Sequence, residues 1–211
     1  LIEQTRSFPD DARFRWNPEA LWAVETWLAQ AAPADRERFI RAVQEGSLGL
    51  DAMFGNLLTG LCRPEELIQA LAFKRELEAL TGVPITSVMT TDVPGASWGL
   101  VAALENHGVR YLSMGPNRGH RIGHTLEDWA DKPFYWVSPS GRQKVLCFVH
   151  GKGYSWFHTG LNMKQRVNLF TPRRVFPYLQ ELEKSGYPYA IIPIRYNIGS
   201  DNGPPDPDLA D

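Results

Sequence analysis

The sequence predicts an α/β fold: a parallel sheet covered by helices, arranged as a β/α barrel that is incomplete in this chain. Three observations predict it. Strand-like and helix-like segments alternate along 211 residues, the pattern of a parallel sheet with helical crossovers. Crossovers of that kind are right-handed, and they bring the carboxyl ends of the strands to one face. The distinctive polar residues follow strands: Glu19 after the Trp16 segment, then Asp51, Asp92, Asn117 and Asp201. An open doubly wound sheet also fits the alternation. No Gly-x-Gly-x-x-Gly or Gly-x-x-x-x-Gly-Lys turn follows a strand, so the usual nucleotide-fold signature is missing.

The elements follow in order. Phe14-Arg15-Trp16 is a short strand candidate. Asn17 is expected to cap a helix with Pro18 at its first position and Glu19 in its first turn, ended by Pro33. A second helix is expected over 35–45, with Gly46 as its stop, and a short strand over 48–51. Pro64 opens a long helix to residue 80, ended by Gly82, whose charged face reads as solvated. A strand over 85–90 runs into Asp92-Val93-Pro94-Gly95, and Ser97 starts a helix ended by Gly108. A strand over 109–114 precedes a polar segment, 115–132. Residues 134–137 and 144–149, joined through Ser138-Pro139-Ser140-Gly141, form a β-hairpin. A helix over 173–184 and a strand over 189–196 complete the order.

Charge and composition exclude several function classes. With 22 basic and 24 acidic residues and no long basic run, the chain lacks the electrostatic footprint of a nucleic-acid binder. No apolar stretch approaches the roughly 20 residues that a membrane span needs. Cys62 and Cys147 lie far apart, show no metal-type spacing and read as two buried thiols. The start at Leu1 and the helix-like final turn read as an excerpt of a longer protein.

Asp92 is the leading candidate for chemistry. It leaves an apolar strand and enters a Pro-Gly turn that fixes a sharp exit toward the sheet's carboxyl end. An Asp in that position also serves as a cap or Asx-turn. His150, Tyr154 and Trp156 form a second cluster, in which the aromatic rings suit a sugar platform or a core. His120 and His124 are spaced i, i+4 but lie among glycines, which favours a loop over a metal-binding helix.

The run Thr90-Thr91-Asp92-Val93-Pro94-Gly95-Ala96-Ser97-Trp98 resembles the nucleophile segment of glycoside hydrolase family 38, the class II α-mannosidases. Four further segments agree with that family in order. They are Phe14-Arg15-Trp16-Asn17-Pro18-Glu19, Gly46-Ser47-Leu48-Gly49-Leu50, Phe148-Val149-His150 with Tyr154-Ser155-Trp156, and Ile191-Ile192-Pro193-Ile194 leading to Asp201-Asn202. Gly108-Val109-Arg110-Tyr111-Leu112 also matches the family's strand after the nucleophile helix. The resemblance implies a seven-stranded β/α barrel and a retaining, zinc-dependent glycoside hydrolase acting on α-mannosides or related glycans. It implies that Asp92 is both nucleophile and zinc ligand and that Asp201 is the acid/base. Trp16, Glu19, Asn117, His150, Tyr154 and Trp156 would then surround the carbohydrate. Retention requires two carboxyl groups about 5–5.5 Å apart.

The other zinc ligands of the family, a His-x-Asp pair and a late His, would lie before Leu1 and after Asp211. The fragment alone is therefore expected to be inactive. The family has two adjacent Asp residues where this chain has Asp201-Asn202, and Asn cannot donate a carboxylic proton. Either Asp201 acts from a shifted loop or the protein is inactive. Two other readings remain open. One is a polysaccharide deacetylase-like metal enzyme, for which Asp10-Asp11 and His120/His124 would be the ligands. The other is a non-catalytic carbohydrate-binding domain on the same fold.

Overall fold

The computed structural model of the chain describes residues 15–117, 124–154 and 171–194. The predicted strand over 189–196 is described only to residue 194, and 189–194 form no strand. Trp156, Asp201, Asp10, Asp11 and His120 lie outside the described residues.

Four strands form one sheet in the order β1-β2-β4-β3, with β1 Ser87–Thr91, β2 Tyr111–Gly115, β3 Pro133–Val137 and β4 Lys144–Val149. β1, β2 and β4 are mutually parallel, and β3 is the antiparallel arm of the expected hairpin. Gly141 closes that hairpin at φ 73°, a conformation in which glycine escapes the steric cost of a Cβ. Beyond β1 the sheet continues irregularly. The N–H of Ala52 donates to Ser87 O at 2.9 Å, and Trp16 forms a parallel bridge with Leu48. The described residues form the expected α/β fold as an open, four-stranded sheet with two bridged segments at one edge.

Side chains alternate across the sheet. Val88, Thr90, Leu112, Met114, Val145, Cys147 and Val149 point to one face and are buried. The helices cover that face. Of these, α5 (Trp98–Asn106) packs on β4 through Leu100, Val101 and Leu104, all at most 1% exposed. Met89, Thr91, Ser113 and Phe148 point to the opposite, half-buried face, and His150 continues it at the end of β4.

The helices depart from expectation where tertiary hydrogen bonds compete with local signals. α1 spans Leu21–Gln30 with Ala20 at its N-cap, so Asn17, Pro18 and Glu19 precede it. Its first N–H groups, of Leu21 and Trp22, donate instead to the carbonyls of Met53 and Phe54 at 3.1 and 3.0 Å. Glu19 is thereby released from capping. α2 is Pro33–Gln44, so Pro33 opens this helix, where its missing N–H costs nothing.

The helix expected over 64–80 is two helices, α3 Pro64–Gln69 and α4 Ala72–Thr81. They break where the Ala70 carbonyl accepts the Phe54 N–H at 2.8 Å, a bond between segments in place of one within a helix. The face expected to be solvated is not wholly so. Lys74 is 4% exposed and pairs with Glu78 at 2.7 Å, and Glu78 also accepts the Ile85 N–H at 2.7 Å. A short helix, α6 (Thr125–Trp129), interrupts the polar segment. The last described helix, α7 (Phe176–Lys184), follows a π-type turn over Thr171–Val175.

Cys147 is fully buried and Cys62 only partly, and both are free thiols. Burial pushes the Cys147 thiol up to about 12, against the smaller opposing effect of a hydrogen bond from the Trp136 backbone. At pH 8 it is therefore a neutral, shielded thiol. Of these two cysteines, only Cys62 is expected to react with a disulfide reagent such as DTNB in the native protein. Fast labelling of Cys147 before unfolding would contradict its placement in the core.

Candidate functional site

Asp92 occupies the exit of β1, the inner strand flanked by β2 and the 48–52 segment. Its backbone has φ 58°, in the left-handed region that Asp and Asn tolerate better than most residues. Two neighbours hold it there. Its N–H donates to Gly115 O at 3.0 Å, extending the β1–β2 ladder by one bond, and the Asn117 amide donates to its Oδ1. The residue is exposed, while Val93 beside it is buried and anchors the turn. Ser97 caps α5 as expected, but its side chain reaches across to Thr59 O at 3.2 Å and its N–H to Thr59 Oγ1 at 2.7 Å.

Glu19 reaches the same exit from the other side. Its carboxylate accepts the Thr91 hydroxyl and, at 2.6 Å, the Asn56 amide. The chain thus places Glu19 one residue away from Asp92 along β1, held by two donors that sequence patterns did not single out. Asn56 follows the 48–52 segment, and Thr91 is the last residue of β1; both sit at strand exits, which is the signal that could have found them.

His150 lies at the exit of β4 and is 4% exposed. Its N–H donates to Met114 O at 2.9 Å, and its Nε2 shares a hydrogen bond with Ser113 Oγ at 2.8 Å. Phe148 meets its ring edge-on, 5.5 Å between centroids. Tyr154 follows, half-buried, with its N–H on Pro116 O at 3.3 Å. The loops after β2 and β4 are therefore stitched together beside Asn117. Trp16 is placed differently: it pairs with Leu48 at the entering end of the 48–52 segment and is 38% exposed. Asp51 is buried in the exit of that segment.

The structure thus brings Glu19, Asp92, Asn117, His150 and Tyr154 to the carboxyl end of the sheet. The separation of Asp92 from Asp201, which would report on retention, involves a residue outside the described ones. Among the described residues no group of three or more His, Cys, Asp or Glu side chains is arranged to hold a metal ion. These residues offer two carboxylates: Glu19, engaged by Thr91 and Asn56, and Asp92, whose Oδ1 is engaged by Asn117. His124, the one described member of the expected His pair, is a surface residue hydrogen-bonded to Glu127 at 2.6 Å. That bond pushes its pKa up, assisted by the charges of Glu127 and Asp128. Among the described residues no helix is long and apolar enough to cross a membrane.

Neither a sequence-family profile nor a curated protein matches the chain. Solved structures do. An α-mannosidase from Enterococcus faecalis V583 superposes with a TM-score of 0.60 at 12% identity, covering 90% of this chain and 21% of that one. The fold is that of the family 38 α-mannosidase structures. A second protein of glycosyl hydrolase family 38 from Enterococcus faecalis gives 0.59 at 11% identity, covering 95% of this chain and 20% of that one. A 4-α-glucanotransferase from Thermococcus litoralis gives 0.53 at 15% identity, covering 86% and 26%. The chain therefore spans about a fifth to a quarter of the length of each of these structures. These structures, named as an α-mannosidase and a 4-α-glucanotransferase, share the fold across different activities, so the fold alone does not fix a reaction.

Proposed function

We propose that this chain forms part of the catalytic domain of a retaining glycoside hydrolase of the family 38 type, acting on α-mannosides, with Asp92 as its nucleophile. The observation that carries the reading is Asp92 itself. It is an exposed carboxylate in a left-handed backbone conformation at a strand exit, and a neighbouring amide holds it. Residues held in sparsely populated backbone regions gather at functional sites.

The chemistry follows from the carboxylate. One Asp92 oxygen attacks the anomeric carbon as the bond from that carbon to the leaving oxygen breaks. The leaving oxygen takes a proton from an acid, a role proposed for Asp201. Water then attacks the anomeric carbon of the glycosyl-Asp92 ester, assisted by the same residue as base, and restores the carboxylate with net retention. The Asn117 amide fixes the rotamer of Asp92 by binding Oδ1, which leaves Oδ2 for the reaction. Tyr154 and Trp156 suit a sugar ring's apolar face, and Glu19 and His150 complete the proposed carbohydrate contacts, whereas Trp16, paired with Leu48, stands apart from them.

Zinc belongs to this proposal as the ion that would grip sugar hydroxyls, with Asp92 as the one ligand among the described residues. The likeness to the glucanotransferase favours a second reading, transfer or hydrolysis of α-glucosyl units through the same covalent Asp92.

Rates of the complete protein on 4-nitrophenyl α-mannoside and α-glucoside decide between them. A preference for the mannoside of at least about tenfold is expected, and hydrolysis of the glucoside alone would overturn the mannosidase reading. Asn117→Ala tests the site from a neighbouring position. It removes the donor that orients Asp92, so kcat should fall by about tenfold or more with KM changed little, as for an interaction realised mainly in the transition state. An unchanged kcat would remove Asn117 from the site.

A further inference from the structure

Asp131 takes no part in the chemistry above, yet it is bound into the β4 exit through both its backbone and its side chain. It lies between α6 and β3 with φ 57°, a second non-glycine left-handed residue among those described. Its N–H donates to Val149 O at 2.8 Å, and its Oδ1 accepts the N–H of Gly151 at 2.9 Å. Gly151 is necessary for this approach: a Cβ there would stand 1.9 Å from Asp131 Oδ2 and 2.6 Å from its Cγ. The same carboxylate accepts the hydroxyl of Tyr178, a side chain of α7 that is 2% exposed. Burial first, and then the Asp131 hydrogen bond, push the Tyr178 ionisation upward, so that the hydroxyl remains a donor.

The next residue of the loop is tied to the same helix. The Lys152 ammonium binds both carboxylate oxygens of Glu181 at 2.8 and 2.6 Å and stands 5.2 Å from the Tyr178 ring centroid. The segment 150–154 is thus fastened at two successive residues, with His150 before them and Tyr154 after. A short loop held at both its backbone and its charge has few conformations left to lose when a ligand binds.

We propose that Asp131 is a positioning residue: through Gly151 and Tyr178 it fixes the β4 exit loop so that His150 and Tyr154 are pre-arranged for a sugar ring. The part that concerns sugar rests on the glycosidase reading; the clamp itself does not.

The test uses the complete protein with Asp131→Ala, Asp131→Asn and Tyr178→Phe. Amide hydrogen exchange is read at 150–154 and 111–115, alongside kinetics on an aryl α-mannoside at a temperature where each variant is folded. Asp131→Ala should speed exchange at 150–154 by about tenfold and leave 111–115 unchanged, because only the local opening becomes easier. Its KM should rise about tenfold with kcat within about threefold, the pattern of lost ground-state binding. Asp131→Asn keeps an oxygen for the Gly151 N–H and should restore most of both. Tyr178→Phe, which keeps the ring in the core, should speed exchange at the loop by about threefold, and it carries the test if the alanine variant does not fold. Unchanged exchange at 150–154 in these variants overturns the clamp. Faster exchange with unchanged KM overturns the positioning role. A parent protein that cleaves no α-glycoside refutes the proposed function and its sugar-binding corollary, while the exchange arm still judges the clamp.

Discussion

Asp92→Asn in the complete protein is expected to lower turnover of an aryl α-mannoside by about ten-thousand-fold, the scale on which single catalytic residues of covalent enzymes act. The amide is a poor nucleophile and carries no charge to balance an oxocarbenium-like transition state. The fold should hardly notice. Asn tolerates φ near 58° about as well as Asp, its oxygen can still accept the Asn117 amide, and the position is exposed. Melting curves should therefore agree within about 2 °C, as for surface substitutions away from buried features. Asp201→Asn gives the contrasting result. A leaving group that needs no proton should still depart at nearly the parent rate, while poor leaving groups suffer. Near-parental turnover by Asp92→Asn on every substrate would refute the covalent mechanism. Unfolding would make Asp92 a structural cap.

Leu104→Ala should have the largest effect on stability. Leu104 is completely buried on α5, in the layer that also contains Leu100 and Val101 and packs on β4. Truncation removes the transfer free energy of the lost methyl groups and leaves a cavity that the close-packed neighbours fill only in part. The expected cost is about 3 kcal/mol. A urea titration of the complete protein, followed by a probe in this domain, measures it. Activity per folded molecule should be unchanged, since α5 lies behind the sheet. A cost below about 1 kcal/mol would mean that this layer is not the core.

The parallel sheet, the hairpin and the helix before β2 were legible because each depends on short-range chemistry. Apolar runs of strand length, the Ser138–Gly141 turn and glycines 46, 82 and 108 in left-handed stops all act within a few residues. What local patterns could not supply were bonds between distant segments. Asn17 and Pro18 spell a helix start, yet the carbonyls of Met53 and Phe54 take the N–H groups of α1 and move the start to Leu21. A continuous apolar stripe over 64–80 says nothing of the Phe54 N–H that claims the Ala70 carbonyl.

The site follows the same division. Asp92 stands out as an acid between an apolar strand and a Pro-Gly turn. Thr91, Asn56 and Ser113, which bind Glu19 and His150, are ordinary residues whose importance exists only once the strands are aligned. Glu19 was legible as a candidate site residue but its partners were not, because they are 37 and 72 positions away.

The most direct test of the central claim is to trap the covalent intermediate. The complete protein is incubated with an activated fluorinated mannosyl fluoride, whose slow hydrolysis lets the glycosyl-enzyme accumulate, and then digested for mass spectrometry. The account predicts one fluoroglycosyl adduct per chain, carried by the peptide that contains Asp92 and attached to its side chain. An adduct on Glu19, Asp201 or any other residue, or full hydrolytic activity with no adduct at all, would contradict it.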